Sequence, residues 1–257
     1  MRRPPRRFEP RTIVSGAGEP GAKERRQRLA GLSNRVVDCR LCPRLVSWRE
    51  EVARSRRAIA SGERYWARPL PGFGDPEARL VVVGLAPAAH GGNRTGRMFT
   101  GDRSGDFLFS ALHRAGYANR PESTALGDGL ELSGAYVTAA VRCAPPANRP
   151  LPEERERCAP FLAEELELLS DARVLLALGS FALDALWRLP VVSGGVTGRR
   201  PRFAHGAELA LAPTGPGRPG RALLCSYHPS QRNVFTGLLT AEMFDALLVR
   251  ARELSSG

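Results

Sequence analysis

Two sets of residues in this 257-residue chain have the types and spacing that chemistry requires. The first is made of cysteines. Cys39 and Cys42 form a C-x2-C pair, and Cys143 and Cys158 enclose fourteen residues in a proline-rich segment. Four thiolates can close a tetrahedral zinc site or hold an iron–sulfur cluster. Zinc ribbons pair two C-x2-C knuckles; the second knuckle is missing, which favours iron–sulfur. Cys225, inside an apolar run, reads as a plain buried residue.

The second set lies on three loops. One runs from Gly84 to Asp102 and carries Ala86, Ala88, His90, Asn93, Arg97, Phe99 and Asp102. Another, Arg142–Pro150, carries Asn148, and the third is His228-Pro229-Ser230-Gln231-Arg232-Asn233. Gly91 and Gly96 have the spacing of a phosphate-binding P-loop. However, Arg97 and Met98 stand where that motif needs Lys and Ser/Thr, and the glycines do not directly follow a strand. No G-x-G-x-x-G is present, so a dinucleotide fold has no support. What remains is a glycine-rich, arginine-bearing loop able to approach a phosphate or a planar ring.

The elements that must position these loops are legible as apolar runs alternating with helical patterns, the signature of a parallel sheet covered by helices. Strands are expected at Leu80–Leu85, Tyr136–Val141, Val174–Leu178 and Ala222–Tyr227, with a possible short one at Glu208–Leu211. Helices are expected at Asp106–Gly116, Phe161–Leu169, Phe181–Leu189 and Leu239–Leu254. Pro152 marks an earlier turn or helix start. Cys39 and Cys42 fall in an otherwise helical stretch. In such a sheet the chemistry belongs on loops beyond the carboxyl ends of the strands, where the three loops fall.

Charge indicates the kind of partner. Thirty-eight basic against twenty-six acidic residues give +12, and all but one of the basic residues are arginine. Residues 1–30 hold nine basic and three acidic side chains, half of the net charge. Residues 1–28 therefore read as a basic disordered arm, and 29–257 as a single folded domain that is itself basic. Such a balance suits a polyanion such as nucleic acid. No apolar run approaches the ~20 residues of a membrane span, and the start of the chain lacks the apolar core of a secretion signal. A cytoplasmic protein with reduced cysteines is expected.

Taken together, the C-x2-C and C-x14-C cysteines, the Gly84-Leu85-Ala86-Pro87-Ala88 run and His228-Pro229-Ser230 with Asn233 resemble the iron–sulfur uracil-DNA glycosylases of the fifth type, found in bacteria and archaea. The resemblance spans residues from about 30 to about 250. It implies a three-layer α/β/α fold around a four-stranded parallel sheet and a [4Fe–4S] cluster on Cys39, Cys42, Cys143 and Cys158. It also implies hydrolysis of the N-glycosidic bond of uracil, and of other deaminated bases, in double-stranded DNA. A nucleoid-associated monomer is the corresponding expectation. Most branches of the superfamily place a polar water-positioning residue in the first motif; Ala86, Pro87 and Ala88 supply none, so that role passes elsewhere.

Losing a base from deoxyribose builds positive charge on the sugar and negative charge on the base. Asp102 is the candidate for the first and for orienting water, with a helix cap as its competing role. His228 is the candidate donor to a base carbonyl. Asn148 offers the paired donor and acceptor that the edge of uracil requires. Phe99 would stack on the extruded base, and Ala86 and Ala88 would offer backbone groups to it, with His90 supporting the pocket. Ser230, Gln231, Arg232 and Asn233 are the expected DNA contacts. The rival readings are a non-catalytic iron–sulfur protein that binds nucleic acid, and a zinc-stabilised nuclease or NTPase-like enzyme.

Overall fold

The computed structural model describes residues 21–55, 59, 62–194, 200–213 and 220–256. Helices α1 (Ala22–Val37) and α2 (Pro43–Ala53) come first, followed by strands β1 (Phe73–Gly74) and β2 (Leu80–Gly84). Short α3 (Gly92–Thr95) and α4 (Arg103–Arg114) lead to β3 (Ala135–Ala139), α5 (Pro152–Leu168) and β4 (Val174–Leu178). Then come α6 (Ser180–Trp187), α7 (Pro190–Ser193), β5 (Glu208–Leu211), β6 (Arg221–Ser226), α8 (Gln231–Phe235) and α9 (Ala241–Ser256).

The strands form one sheet in the order β1-β3-β2-β4-β6-β5. Its centre, β3-β2-β4-β6, is parallel, with Leu80 level with both Ala135 and Val174 and Leu176 level with Leu224. Every residue of these four strands is buried, so they read as continuous apolar runs rather than alternating ones. Alternation survives in which layer each residue meets. Leu80, Val82, Val137, Leu176 and Leu224 pack with Leu108, Leu112, Phe244 and Leu248 of α4 and α9. Val81, Val83, Leu175, Leu223 and Cys225 pack on the other face with Leu29, Leu32, Leu162, Leu166 and Leu183 of α1, α5 and α6. The three layers are thus α/β/α, and Cys225 is core.

Four expectations need correction. The sheet has six strands rather than four, because β1 and β5 add antiparallel edges to the parallel centre. The two residues of β1 are too few to carry a periodicity, and β5 occupies the position of the possible short strand. Cys39 and Cys42 lie in the break between α1 and α2, where Pro43 opens the second helix, not within a helix. Within the expected arm 1–28, residues 22–28 are helical: α1 begins at Ala22, and Arg25 pairs with Asp171 at 2.9 Å and bonds Ser170. Residues 1–20 lie outside the described residues. The helix expected at Phe161–Leu169 starts instead at Pro152 and runs through Pro160.

Candidate active site

Because β2, β3 and β6 are parallel, the loops that follow them emerge at the same sheet edge. They surround a cleft of ≈ 670 Å³. Ala86, Ala88, His90, Phe99 and Asp102 line it from the loop after β2, Asn148 from the loop after β3, and His228, Ser230, Gln231 and Arg232 from the loop after β6. Only Asn233 among the residues expected there is absent from the lining.

The loop after β2 is fixed by two arginines. Arg94 donates to the carbonyls of His90 and Gly101 and pairs with Glu63. Arg97, a P-loop misfit in the sequence, grips the two oxygens of Asp128 at 2.9 and 2.7 Å and also bonds Thr100 and Ser123. Burial alone would raise the Asp128 carboxyl. The Arg97 guanidinium and the backbone N–H groups of Leu130, Thr124 and Ala125 outweigh it and hold the group well below the usual carboxylate range.

This frame holds Phe99 at φ +52°, a left-handed conformation unfavourable for an aromatic residue. Its ring lies over Gly84 at the end of β2, where a Cβ would come within 2.5 Å of the ring tip. The other face of the site is His228, whose ring lies 6.0 Å from that of Phe99 with the planes 29° apart. Burial lowers the His228 imidazole to about 4, so it is neutral at physiological pH. Its carbonyl accepts from Ser230 N–H at 2.7 Å and from the Asn233 side-chain amide at 2.9 Å. Asn233 therefore shapes the turn that presents His228. Ser230 caps α8 by accepting from the Asn233 N–H.

Asp102 has both of its possible roles at once. Oδ1 accepts the N–H groups of Ser104 and Gly105, each at 3.0 Å, and so caps α4. Oδ2 accepts no hydrogen bond from a described residue and lies against Gly91, where a Cβ would sit 2.0 Å from it. Burial raises the Asp102 carboxyl, with the Gly105 and Ser104 N–H groups opposing. His90, also in the lining, meets Tyr65 Oη at 3.1 Å through Nδ1. Asn148 stands exposed on the opposite rim, in a 3-10 turn where it and Ala147 have φ values of +54° and +52°.

The four cysteines meet behind this site. Cys39, Cys42, Cys143 and Cys158 line one cavity with Leu45, Arg49, Pro69, Arg142, Arg157 and Phe161. All four are free thiols. Burial pushes Cys143 to about 11 and Cys158 to about 12, against the pull of Arg49 and Arg142 respectively. Among the described residues no three His, Cys, Asp or Glu side chains are grouped to hold a single metal ion. Ion pairs close the surrounding structure: Arg44 of α2 takes both oxygens of Glu154 on α5, at 2.8 and 2.7 Å, and reaches the Arg149 carbonyl beside Asn148.

Sequence reasoning missed three features. Buried Arg142 pairs with Glu165 at 2.6 Å while Tyr136 and Thr138 donate to the same carboxylate, which ties β3 to α5 behind the cysteines. The only sequence signal for this was charged residues inside apolar segments. Arg49 is buried beside Cys143, and nothing in its spacing marks it. Phe235, at the far end of α8, is 89 % exposed, with Val234 and Leu238 also open to solvent. No helix of the described residues is long and apolar enough to cross a membrane.

The family model "Uracil DNA glycosylase superfamily" matches residues 71–252. A type-5 uracil-DNA glycosylase of Thermus thermophilus is 55% identical over 220 residues, covering 86% of this chain and 95% of that protein. One from Pyrobaculum aerophilum, also named type-5, is 48% identical over 218 residues, covering 85% and 89%. A type-4 uracil-DNA glycosylase of Thermotoga maritima is 30% identical over 154 residues, 60% of this chain and 62% of that protein.

Proposed function

The chain belongs to the uracil-DNA glycosylase superfamily, and from that premise we propose that it is a type-5 DNA-repair enzyme that removes uracil from double-stranded DNA. The observation that carries the mechanism is the pair of electrostatic groups in one cleft: a neutral imidazole at His228 and an unbonded carboxylate oxygen at Asp102.

The target nucleotide leaves the base stack, at a cost of about a few kcal/mol that is least at a mismatch such as G·U. Its base lies against Phe99 and the backbone at Ala86 and Ala88, and Asn148 pairs with its edge. As the bond from C1′ to the base nitrogen breaks, the electron pair leaves with the base. The His228 N–H donates to the carbonyl oxygen that takes up this charge. Asp102 faces the positive charge on the sugar and orients water; the water oxygen bonds to C1′ and its proton passes to the Asp102 carboxylate. Ser230, Gln231 and Arg232 meet the flanking phosphates, and His90 and Asn233 support the pocket. With no carboxylate in the Ala86–Ala88 stretch, other deaminated bases also fit the reading. The enzyme acts as a monomer at the nucleoid, in the cytoplasm.

The cysteine cavity fits an iron–sulfur cluster. All four thiols are free, and they line one cavity together with Arg49, Arg142 and Arg157. Cys39, Cys42, Cys143 and Cys158 would hold a [4Fe–4S] cluster, which would supply cross-linking rather than base-removal chemistry. Cys39 and Cys42 would join the α1–α2 junction to Cys143, five residues before Asn148, and to Cys158 on α5. The Cys143→Ala variant should lose iron and soluble yield together; a fully active, iron-free variant would contradict the assignment.

The decisive experiment is incubation with a G·U duplex followed by alkali, which cleaves abasic sites. Strand cleavage at the uracil is expected. No product, with DNA binding retained, would favour a non-catalytic nucleic-acid-binding protein instead.

A further inference from the structure

Five arginines are buried among the described residues: Arg49, Arg97, Arg142, Arg155 and Arg221. Three of them face carboxylates, Arg97 with Asp128, Arg142 with Glu165 and Arg155 with Asp184. Arg221 donates to the carbonyls of Leu166, Leu169 and Ala172 at the end of α5. Arg49 is different. It is 1 % exposed, and Nη1 points at Cys143 Sγ at 3.0 Å. Its Nη2 reaches only the Cys39 carbonyl at 3.4 Å, and its Nε is buried with no hydrogen-bond partner. The nearest acid in sequence, Glu50, hydrogen-bonds Arg40 and offers Arg49 a charge–charge attraction but no hydrogen bond.

A buried cation with no anion bonded to it is among the costliest features a fold can hold. A neutral thiol does not offset it, whereas a thiolate that ligates iron does. We propose that Arg49 is the internal counter-cation of the cysteine site, a positioning residue whose guanidinium donates to Cys143 Sγ and holds the cluster-bound thiolates in place. The inference rests on the iron–sulfur reading. The same residue also reaches the active-site loop, since its carbonyl accepts from the Asn93 side chain at 3.2 Å. Arg49 is therefore sited where the cofactor cavity and the loop bearing Phe99 meet.

The test compares wild type, Arg49→Met and Arg49→Lys, each as iron-loaded and iron-stripped protein. Two quantities are read: the rate of iron release to a chelator, followed by the visible cluster absorbance, and the melting temperature. Loss of a ligand-supporting partner should speed release from Arg49→Met by about tenfold or more. The iron-free form of that variant should melt at or above iron-free wild type, because an unpaired buried charge has gone. Arg49→Lys, which keeps the charge, should release iron close to the wild-type rate. A role in packing alone predicts lower melting in both forms of Arg49→Met, and that result overturns the proposal, as does unchanged iron release. If Arg49→Met yields no soluble protein, Arg49→Gln replaces it, and release from Arg49→Gln and Arg49→Lys at one rate overturns it too. Wild type purified without iron would refute the cluster reading itself, before any variant is made.

Discussion

Phe99 covers one face of His228, its ring 6.0 Å away and 29° from parallel. The two residues come from loops after different strands, and the Phe99 ring adds to the burial of the imidazole. That burial is what brings His228 down to about 4 from an ordinary 6.5. A neutral ring still donates one N–H to a carbonyl oxygen, and it does so across the whole physiological range. In an NMR titration the His228 signals should stay constant from about pH 8 to 5. In Phe99→Ala its midpoint should move back toward the ordinary value, and turnover should fall because both the stacking face and the dry environment are lost. His228→Ala should cost about 10²- to 10³-fold in kcat, the scale of one preorganised donor. A His228 that titrates near neutrality in the wild type would refute the neutral-donor role.

Asp102 can be divided by substitution. Asn retains the oxygen that accepts from Ser104 and Gly105, so Asp102→Asn should keep its helix cap and unfold within about 1 kcal/mol of wild type. It removes the charge that faces the sugar, and turnover should fall by about 10²- to 10⁴-fold. Asp102→Ala should show the same catalytic loss together with a cap loss of about 0.5–2 kcal/mol. The pH profile gives a second check. Burial raises this carboxyl, and the proposed role needs its charged form. Activity should therefore fall, as pH drops, through a midpoint above the ordinary carboxylate value of 3.8. Wild-type turnover in Asp102→Asn would leave the residue as a cap only.

The parallel strands and the loops they aim were legible because buried strands are continuous apolar runs, and because motif residues sit where the chain leaves those strands. Both signals are local. The edge strand Phe73–Gly74 was not legible, since two residues have no pattern and the pairing with Tyr136 and Val137 is made only in the fold. The second task of Asn233 was not legible either: its amide, which reads as a DNA contact, also donates to the His228 carbonyl five residues back. Arg49 and Cys143 are ninety-four residues apart, so their contact exists only in three dimensions. Arg97, a misfit for a phosphate loop in the sequence, has both of its terminal nitrogens held by Asp128, thirty-one residues on.

That pair makes a stability prediction. Arg97 and Asp128 are 6% and 8% exposed, and they join the loop bearing Phe99 to the segment before β3. Asp128→Asn leaves a buried guanidinium uncompensated, a loss of about 3–5 kcal/mol. The folded carboxyl titrates below its unfolded value, so the pair's contribution is present above about pH 4 and is lost as pH falls through the folded value. The stability difference between wild type and Asp128→Asn, taken from urea unfolding, should therefore shrink on acidification. A difference that stays constant from neutral pH down to strong acid would mean that the charge is not what the loop depends on.

Phe235 has no packing role to explain its sequence position. It is 89 % exposed, beside Val234 and Leu238, on the short helix whose opening residues Gln231 and Arg232 line the cleft. Apolar side chains left open next to a binding cleft mark a contact surface. Extruding a nucleotide leaves a gap in the duplex stack, and an apolar wedge that fills it offsets part of the unstacking cost. Phe235→Ala should therefore lower kcat/KM on duplex uracil by about tenfold, in line with the few kcal/mol at stake. Single-stranded uracil has no partner strand to reseal, so its rate should change much less, and folding should be unaffected because the ring packs on little. Comparing the two substrates separates this from a general loss of DNA affinity: equal losses on both would mean that Phe235 touches DNA without holding the duplex open.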